Sequence, residues 1–493
     1  MPLKSLRLPA LLALAGASSV FSFAPLEVPG LIFAALALLF WAIARAPSPR
    51  AAAGRGFAFG LGFFVGNVHW VYISMHTFGG MPGWMAAGCV LLFAAYLALF
   101  PALAAWLAQR LPCPSALRWP LLLPTLFILT EWLRGWLFTG FAWANIGTSQ
   151  VKLLAGWFPL LGVYGVGWLL ATVTALTVWR WRWGLAAFVA VTLGGLGWQQ
   201  VAWTQADKER VSVSLVQGGI PQSERWDMRL FDNTLVRYLS LVSQTRGQLV
   251  LLPEAAIPVL FSSMPADYLE ALQQQVAPRG AALVSGFITG EEGAYLNSVI
   301  TLNGTPQRYN KHHLVPFGEF VPLPSIFGWM YDFMAMPMSG FDRGGLVQAP
   351  LVLGATRLAA NVCYEDIFGD ELRHTAAQAT LLANVSNMAW FDGSWAAEQH
   401  LQMARARALE TGRWMIRATN TGATAIVDYQ GKIVSQLPPG GPGILEGKVE
   451  NRSGLTPYLR WGDAPVLVLL GGLVLLLAAL GYHQARSRQP VVQ

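Results

Sequence analysis

Hydrophobic residues make up 54% and charged residues only 12% of the 493 positions, which argues against an ordinary soluble enzyme and for an integral membrane protein. The net charge of +7 is not a nucleic-acid footprint, because no basic stripe with interleaved aromatics occurs in the soluble part of the chain. Cys89, Cys113 and Cys363 supply neither a disulfide framework nor zinc-ligand spacing.

The apolar material falls mainly before residue 205, with one stretch returning near the end. Eight segments are expected to cross a bilayer, at 8–23, 28–44, 56–75, 84–107, 121–138, 160–178, 184–201 and 465–482. Several lie near the lower limit of roughly 17 residues for a span. Lys4 and Arg7 precede a run that ends in small residues, as in a signal peptide, but the spans that follow at once favour an uncleaved anchor. Positive residues in short loops mark the cytoplasmic side. With the N-terminus inside, that side receives Lys4, Arg7, Arg45, Arg50, Arg55, Arg110, Arg118, Arg180, Arg182, Arg486 and Arg488, against little more than Lys152 outside. Seven spans then place the soluble region outside the cytoplasm. The expected domains are a transmembrane domain at 1–205, a soluble domain at 206–455, and a last span with a cytoplasmic tail at 456–493. Glu131 and Arg134 lie three apart on one helical face within a span, and are expected to form a structural pair or to meet a lipid headgroup.

From Val211 short β-rich runs alternate with helical ones. The run 211–217, the amphipathic stretch 228–245 and the run 249–254 predict a layered α/β domain whose strands are too apolar to be exposed on both faces. Further strands are expected at 281–288, 297–302, 357–362, 379–385, 416–418, 424–427 and 444–449, and a helix at 396–411. About 240 residues is an ordinary size for one domain.

Cys363 is the only thiol between 211 and 450 and ends the strand-like run Arg357-Leu-Ala-Ala-Asn-Val-Cys. A lone exported cysteine risks oxidation, so its presence there suggests chemistry; the alternative is a small buried core residue. Two other strand ends carry reactive groups, Glu254 in Leu-Leu-Pro-Glu and Lys311 in Arg-Tyr-Asn-Lys. A thiol mostly protonated at neutral pH needs a base such as Glu254 as it attacks a carbonyl. A lysine beside the forming oxyanion supplies charge that matters most in the transition state, and the backbone N–H of Tyr364 is a candidate second donor. Taken singly, each residue has a plainer role: Glu254 as a helix cap, Lys311 as one surface lysine among several, His312 and His313 as solvated loop residues. No Gly-x-Ser-x-Gly elbow, phosphate-binding loop or histidine pair at helical spacing occurs, and no cofactor is implied.

Together with their flanking residues, these positions resemble the carbon-nitrogen hydrolase (nitrilase) superfamily, which implies a Glu-Lys-Cys triad on an αββα sandwich. With the membrane segments included, Val216-Gln-Gly-Gly-Ile-Pro-Gln, Tyr309-Asn-Lys-His-His-Leu-Val-Pro-Phe-Gly-Glu-Phe-Val-Pro and Cys363-Tyr-Glu resemble the apolipoprotein N-acyltransferase family of Gram-negative bacteria over nearly the full chain. The resemblance implies Glu254 as general base, Lys311 as oxyanion stabiliser and Cys363 as nucleophile. It also implies a supporting role for Glu319 and functional interest at Trp226, Asn297, Tyr364 and Glu365. A phospholipid is then the acyl donor and a diacylglyceryl-modified apolipoprotein the acceptor, handled by a monomer in the bacterial inner membrane with both termini cytoplasmic and the catalytic domain periplasmic. One departure stands out: the family often has Ser-Asn-Asp-Ala-Trp-Phe where this chain has Ser386-Asn-Met-Ala-Trp-Phe.

Burying about 0.8 kcal/mol per methylene means that drawing a long acyl chain into water costs on the order of 10 kcal/mol, so the site must meet the bilayer. The methionine-rich and aromatic segment 325–341 is expected to be either a lid dipping toward lipid or a packed satellite core. Two competing functions remain at this level: a membrane-tethered amidase or nitrilase, for which eight spans are excessive, and a transporter with an exported binding domain, which the few intramembrane charges disfavour.

Overall fold

The computed structural model describes residues 4–225, 227–291, 294–323, 325 and 340–487. Trp226 and nearly all of the methionine-rich segment lie outside the described residues. Two compact units are present, one within Met1–Tyr72, Gly83–Val201 and Trp461–Gln493, the other from Ile73–Pro82 and Ala202–Arg460.

The first unit is helical. Among the described residues, Gly83–Arg110, Ala155–Trp179 and Ala464–Ser487 are long and apolar enough to cross a membrane, as expected of an integral membrane protein. Pro49–Val68 qualifies only together with Val71–Phe78, and Arg7–Ser22 and Pro29–Ala44 are shorter apolar helices. The expected span at 121–138 is helical only through Arg134, the π-helical turn Arg118–Leu122 leading into helix Leu123–Arg134, after which the chain turns irregular through positive φ at Phe138, Thr139, Gly140 and Ala144.

That irregular segment is where the charged pair acts. Glu131 and Arg134 are both buried, 3.5 Å apart. Arg134 donates to the Phe141 and Trp143 carbonyls and, at 2.6 Å, to Asn145 Oδ1, while Glu131 accepts from the Ile146 N–H at 2.9 Å. Non-helical backbone within a membrane unit is tolerated only where its polar groups are satisfied by protein, and here one ion pair does much of that.

Helices pack through small residues, since lipid offers no hydrophobic drive for helices to associate and close backbone contact must supply it. A Cβ at Gly62 would lie 1.8 Å from the Ala13 carbonyl oxygen of Lys4–Ser18, and one at Gly60 would lie 2.6 Å from Pro101 Cγ of Gly83–Arg110.

The second unit holds two six-stranded sheets. One runs β12-β1-β2-β3-β4-β5 and the other β11-β10-β9-β8-β7-β6. The strands are β1 (Gln205–Gln217), β2 (Leu249–Leu251), β3 (Ala282–Glu291), β4 (Ala294–Thr301), β5 (Arg308–Asn310), β6 (Leu351–Leu353), β7 (Thr356–Val362), β8 (Leu381–Ser386), β9 (Met415–Thr419), β10 (Ala425–Val427), β11 (Ile433–Gln436) and β12 (Gly443–Ser453). Strands β1, β2 and β3 run parallel, as do β7, β8 and β9; the remaining neighbours pair antiparallel.

Period-two alternation sorts the side chains into layers. Val213, Leu215, Leu249 and Leu251 of the first sheet meet Val362, Leu381, Ala383 and Val385 of the second in the central core. The opposite faces point outward, with Val250 and Leu283 packing on Tyr238, Val242 and Leu272 of helices Phe231–Gln244 and Ala266–Val276. Likewise Leu382 and Met415 pack on Leu372, Leu401 and Ala404 of helices Gly369–Ala376 and Ala396–Thr411. The result is the expected four-layer arrangement of helices, sheet, sheet and helices.

The sequence pattern missed β6 and β11, the two edge strands of the second sheet, which are three and four residues long and only partly buried. It also started β1 six residues late, because the first six residues of that strand are exposed and polar. Backbone pairing with β12, Gln205 opposite Ser453, holds them in the sheet instead.

Gly62→Ala is expected to lower the thermal midpoint of the detergent-solubilised protein by an amount equivalent to about 1–3 kcal/mol. Gly54→Ala, where a Cβ meets nothing within 4 Å, should leave it unchanged or slightly raised. Equal midpoints for the two variants would contradict the close-packed interface.

Candidate active site

Three strand ends in the second unit converge. Cys363 follows β7, Lys311 follows β5 and Glu254 lies three residues past β2. Apolar strands fix these positions rigidly, and the residues just beyond their ends come together. Two of the turns are forced: Cys363 has φ +50° and Ala255 φ +39°, a region costing side-chain-bearing residues about 1 kcal/mol or more and sustained only by surrounding contacts.

Those contacts are present. Arg225, itself buried, donates to the Glu254 carbonyl at 3.0 Å and also to the Ala255 carbonyl. The Cys363 carbonyl accepts from Asn384 Nδ2 and His400 Nε2, each at 3.0 Å.

Lys311 is 1% exposed and sits between two carboxylates, 2.9 Å from Glu319 and 3.8 Å from Glu254. Asn297 ties the group together. Its backbone carbonyl accepts from the Lys311 N–H at 2.8 Å, and its Nδ2 donates to Glu254 Oε1 at 2.7 Å and Glu319 Oε1 at 3.0 Å. The other oxygen of Glu254 accepts from the Asn387 N–H at 3.0 Å, and that of Glu319 from the Val315 N–H at 2.8 Å. Burial opposes the lysine charge, but Glu319, Glu254 and the Cys363 thiol outweigh it and hold the ammonium above its usual value.

Cys363 keeps partial exposure as a residue. Burial of its sulfur, reinforced by the Glu254 charge and opposed by Lys311, pushes the thiol up to about 12. At neutral pH the sulfur is therefore a neutral thiol near a lysine ammonium. Such a set can act on a carbonyl only if the proton leaves the sulfur during attack, and a carboxylate is the base on hand.

Glu365 is buried and splits its oxygens between the two sides of the site. Oε2 accepts from the Val362 N–H at 2.7 Å, beside the cysteine. Oε1 accepts from the His312 N–H at 2.6 Å, the His313 N–H at 3.1 Å and the Tyr309 hydroxyl at 2.9 Å, beside the lysine. Burial pushes its carboxyl up to about 7, with Lys311 and these N–H donors pulling the other way. Tyr364 is also buried, its ring edge-on to Phe368 at 5.1 Å between centroids. His313 is not a solvated loop residue, since it stacks on Phe368 at 3.7 Å and bonds Glu371 at 3.0 Å, while His312 is half-buried with Nδ1 2.8 Å from the Gly344 carbonyl oxygen.

Of the residues named from sequence, Glu254, Lys311, Cys363, Glu319, Asn297, Tyr364 and Glu365 fall in this one region, and Trp226 lies outside the described residues. Arg225, Asn384, Asn387 and His400 were missed. Asn384 carried a signal, a polar residue inside an apolar core strand; Arg225 and His400 carried none, because the groups they bond lie 17 or more residues away along the chain. Met388 is buried and lies against Gly422, so an apolar side chain occupies the position where the family often has aspartate.

Residues 15–176 match the model for the apolipoprotein N-acyltransferase N-terminal domain, and residues 212–458 match the model for carbon-nitrogen hydrolase. An apolipoprotein N-acyltransferase of Chromobacterium violaceum is 44% identical over 98% of this chain and 96% of its own. Those of Nitrosomonas europaea and Ralstonia nicotianae are 41% and 43% identical, over 96% and 97% of this chain and 97% and 94% of theirs.

Because the Glu254 charge raises the Cys363 thiol, Glu254→Gln is expected to move the pH midpoint of iodoacetamide alkylation at Cys363 down by about one unit or more, and Lys311→Met to move it up. Below these midpoints the rate follows the thiolate fraction, so mass spectrometry of alkylation at one fixed alkaline pH should read faster labelling of Glu254→Gln and slower labelling of Lys311→Met than of wild type. Shifts of the same sign would contradict this electrostatic arrangement.

Proposed function

Because the chain belongs to the apolipoprotein N-acyltransferase family, and is thus an acyltransferase of lipoprotein maturation, we propose the route by which this chain moves the acyl group. Glu254 takes the Cys363 proton as the sulfur attacks an ester carbonyl of a phospholipid. The carbon–sulfur bond forms, and the developing oxyanion lies against the Lys311 ammonium and the Tyr364 N–H. Collapse breaks the ester bond, and the departing lysophospholipid oxygen takes the proton from Glu254. In the second half the α-amine of a diacylglyceryl-cysteine attacks the thioester, loses its proton to Glu254, and leaves as the amide while the thiolate recovers that proton.

The observation that carries this reading is the buried lysine held between two carboxylates beside a partly exposed cysteine. The lysine charge is already in place and need not be reorganised when the oxyanion forms, which is where preorganised donors contribute most. Glu254 is kept as an acceptor by hydrogen bonds from Asn297 and Asn387. Glu319 holds the lysine, and Glu365 spans the two strand ends that must stay in register.

The remaining assignments follow the same reading. The chain crosses the bacterial inner membrane eight times as a monomer, with both termini cytoplasmic and positive loop residues on that side. Domain 206–455 works in the periplasm between the transmembrane domain 1–205 and the last span in 456–493. Lipid substrates make the membrane domain a necessity, because a long acyl chain cannot be lifted through water at a cost on the order of 10 kcal/mol per transfer.

Purified protein incubated with phospholipid and no acceptor is expected to gain one acyl mass at Cys363, removed by hydroxylamine and absent from Cys363→Ala. Lys311→Met should slow formation of that adduct by about 100-fold or more. If folded wild-type protein gains no adduct from intact lipid even on a millisecond quench, the thioester route is wrong and the acyl chain passes directly from phospholipid to amine.

A further inference from the structure

Beneath the Cys363 peptide lies a buried polar cluster that the route above does not use. Asp366, His400 and Arg417 are all at most 1% exposed. His400 Nε2 lies 2.6 Å from Asp366 Oδ1 and 3.0 Å from the Cys363 carbonyl oxygen, while Arg417 meets His400 Nδ1 at 3.1 Å and pairs with the second Asp366 oxygen. A guanidinium can only donate, so His400 Nδ1 must accept and the ring proton sits on Nε2, shared between Asp366 and the Cys363 carbonyl. Burial, with the Arg417 charge adding to it against Asp366, holds His400 below its usual value, in keeping with a neutral ring. Since Nε2 is engaged with a backbone carbonyl and a carboxylate, His400 is not the base that deprotonates the thiol.

The peptide joining Cys363 to Tyr364 is trans, so its C=O and N–H point in opposite directions. Two donors, His400 Nε2 and Asn384 Nδ2, hold the carbonyl from one side. They thereby fix the direction of the Tyr364 N–H on the other side. Cys363 has φ +50°, a conformation its side chain disfavours, so the peptide plane would relax if the carbonyl were released.

We propose that His400, set by Asp366 and Arg417, is a positioning residue that clamps the Cys363 carbonyl and so aims the Tyr364 N–H at the oxyanion. This rests on the reading of Cys363 as the acylated nucleophile. It predicts a separation that a merely structural histidine would not produce. Acylation by phospholipid passes through an oxyanion and needs the aimed N–H; alkylation by iodoacetamide displaces iodide, forms no oxyanion and needs only the thiol.

The test compares single-turnover acylation of Cys363 from phospholipid with iodoacetamide alkylation of the same residue, both read by intact mass on the full chain. His400→Ala is expected to slow acylation about 100-fold, the scale of one lost oxyanion donor, and alkylation by less than about threefold. His400→Gln, whose amide can still donate, should recover acylation to within about tenfold of wild type on the same scale. Asn384→Ala removes the other donor on the same carbonyl and should give the same selective loss, so it carries the comparison if His400→Ala does not fold. Unchanged acylation in the variants, equal losses in both reactions, or a His400→Gln protein no better than His400→Ala would each overturn the clamp. A wild-type protein that forms no acyl adduct would overturn the thioester reading itself, and the clamp with it.

Discussion

A buried ammonium ion shared by two carboxylates is the constraint around which the catalytic unit is organised. Taking such charges out of water costs several kcal/mol per ion, and breaking one partner of a buried pair costs about 3–5 kcal/mol. Lys311, Glu319 and Glu254 meet that cost only because Asn297 donates to both carboxylates and backbone N–H groups of Val315 and Asn387 fill their remaining oxygens. The same arrangement sets the protonation states: an ammonium held charged and a thiol held neutral. In the proposed route attack and proton loss therefore happen together, and no reactive thiolate accumulates between turnovers.

Around this centre the backbone is held against its own preference. Cys363 and Ala255 both adopt positive φ, and in each case the adjoining carbonyls are gripped by buried donors, Asn384 and His400 on one side and Arg225 on the other. Glu365 completes the frame by joining the end of β7 to the turn after β5. The two sheets supply rigidity, and the polar residues under their ends turn that rigidity into direction.

The helical unit follows a different rule. Without water to drive its helices together, it relies on glycine-mediated backbone approach, and the irregular stretch after Arg134 is satisfied through Arg134 and Glu131. Stability in that unit depends on absence of side-chain volume at positions such as Gly62, whereas the catalytic unit depends on side chains filling the space between its sheets.

Much of this was legible in the sequence. Long apolar runs, alternating strands and the helix Ala396–Thr411 follow from periodicity, because burial imposes a local pattern of period 3.6 or 2 wherever an element is long enough to repeat it. The candidate site was legible because Glu254, Lys311 and Cys363 each end a strand-like run with a group that an apolar strand has no use for. The edge strands β6 and β11 were not, since strands of three and four residues that are only partly buried carry too little pattern to show a period. Nor was the polar layer beneath the cysteine: His400 and Arg417 lie on a helix and a strand where burial alone accounts for neither, and Asp366 looks like any acidic residue at the start of a turn. Their roles arise from which backbone carbonyl and which charge lie within 3 Å or so of them, a fact that exists only once β7, β8 and β9 are laid side by side. Sequence thus determined which residues could do the chemistry, because composition and periodicity are local; tertiary structure decided how they are aimed and charged, because hydrogen bonds and burial act between positions far apart in the chain.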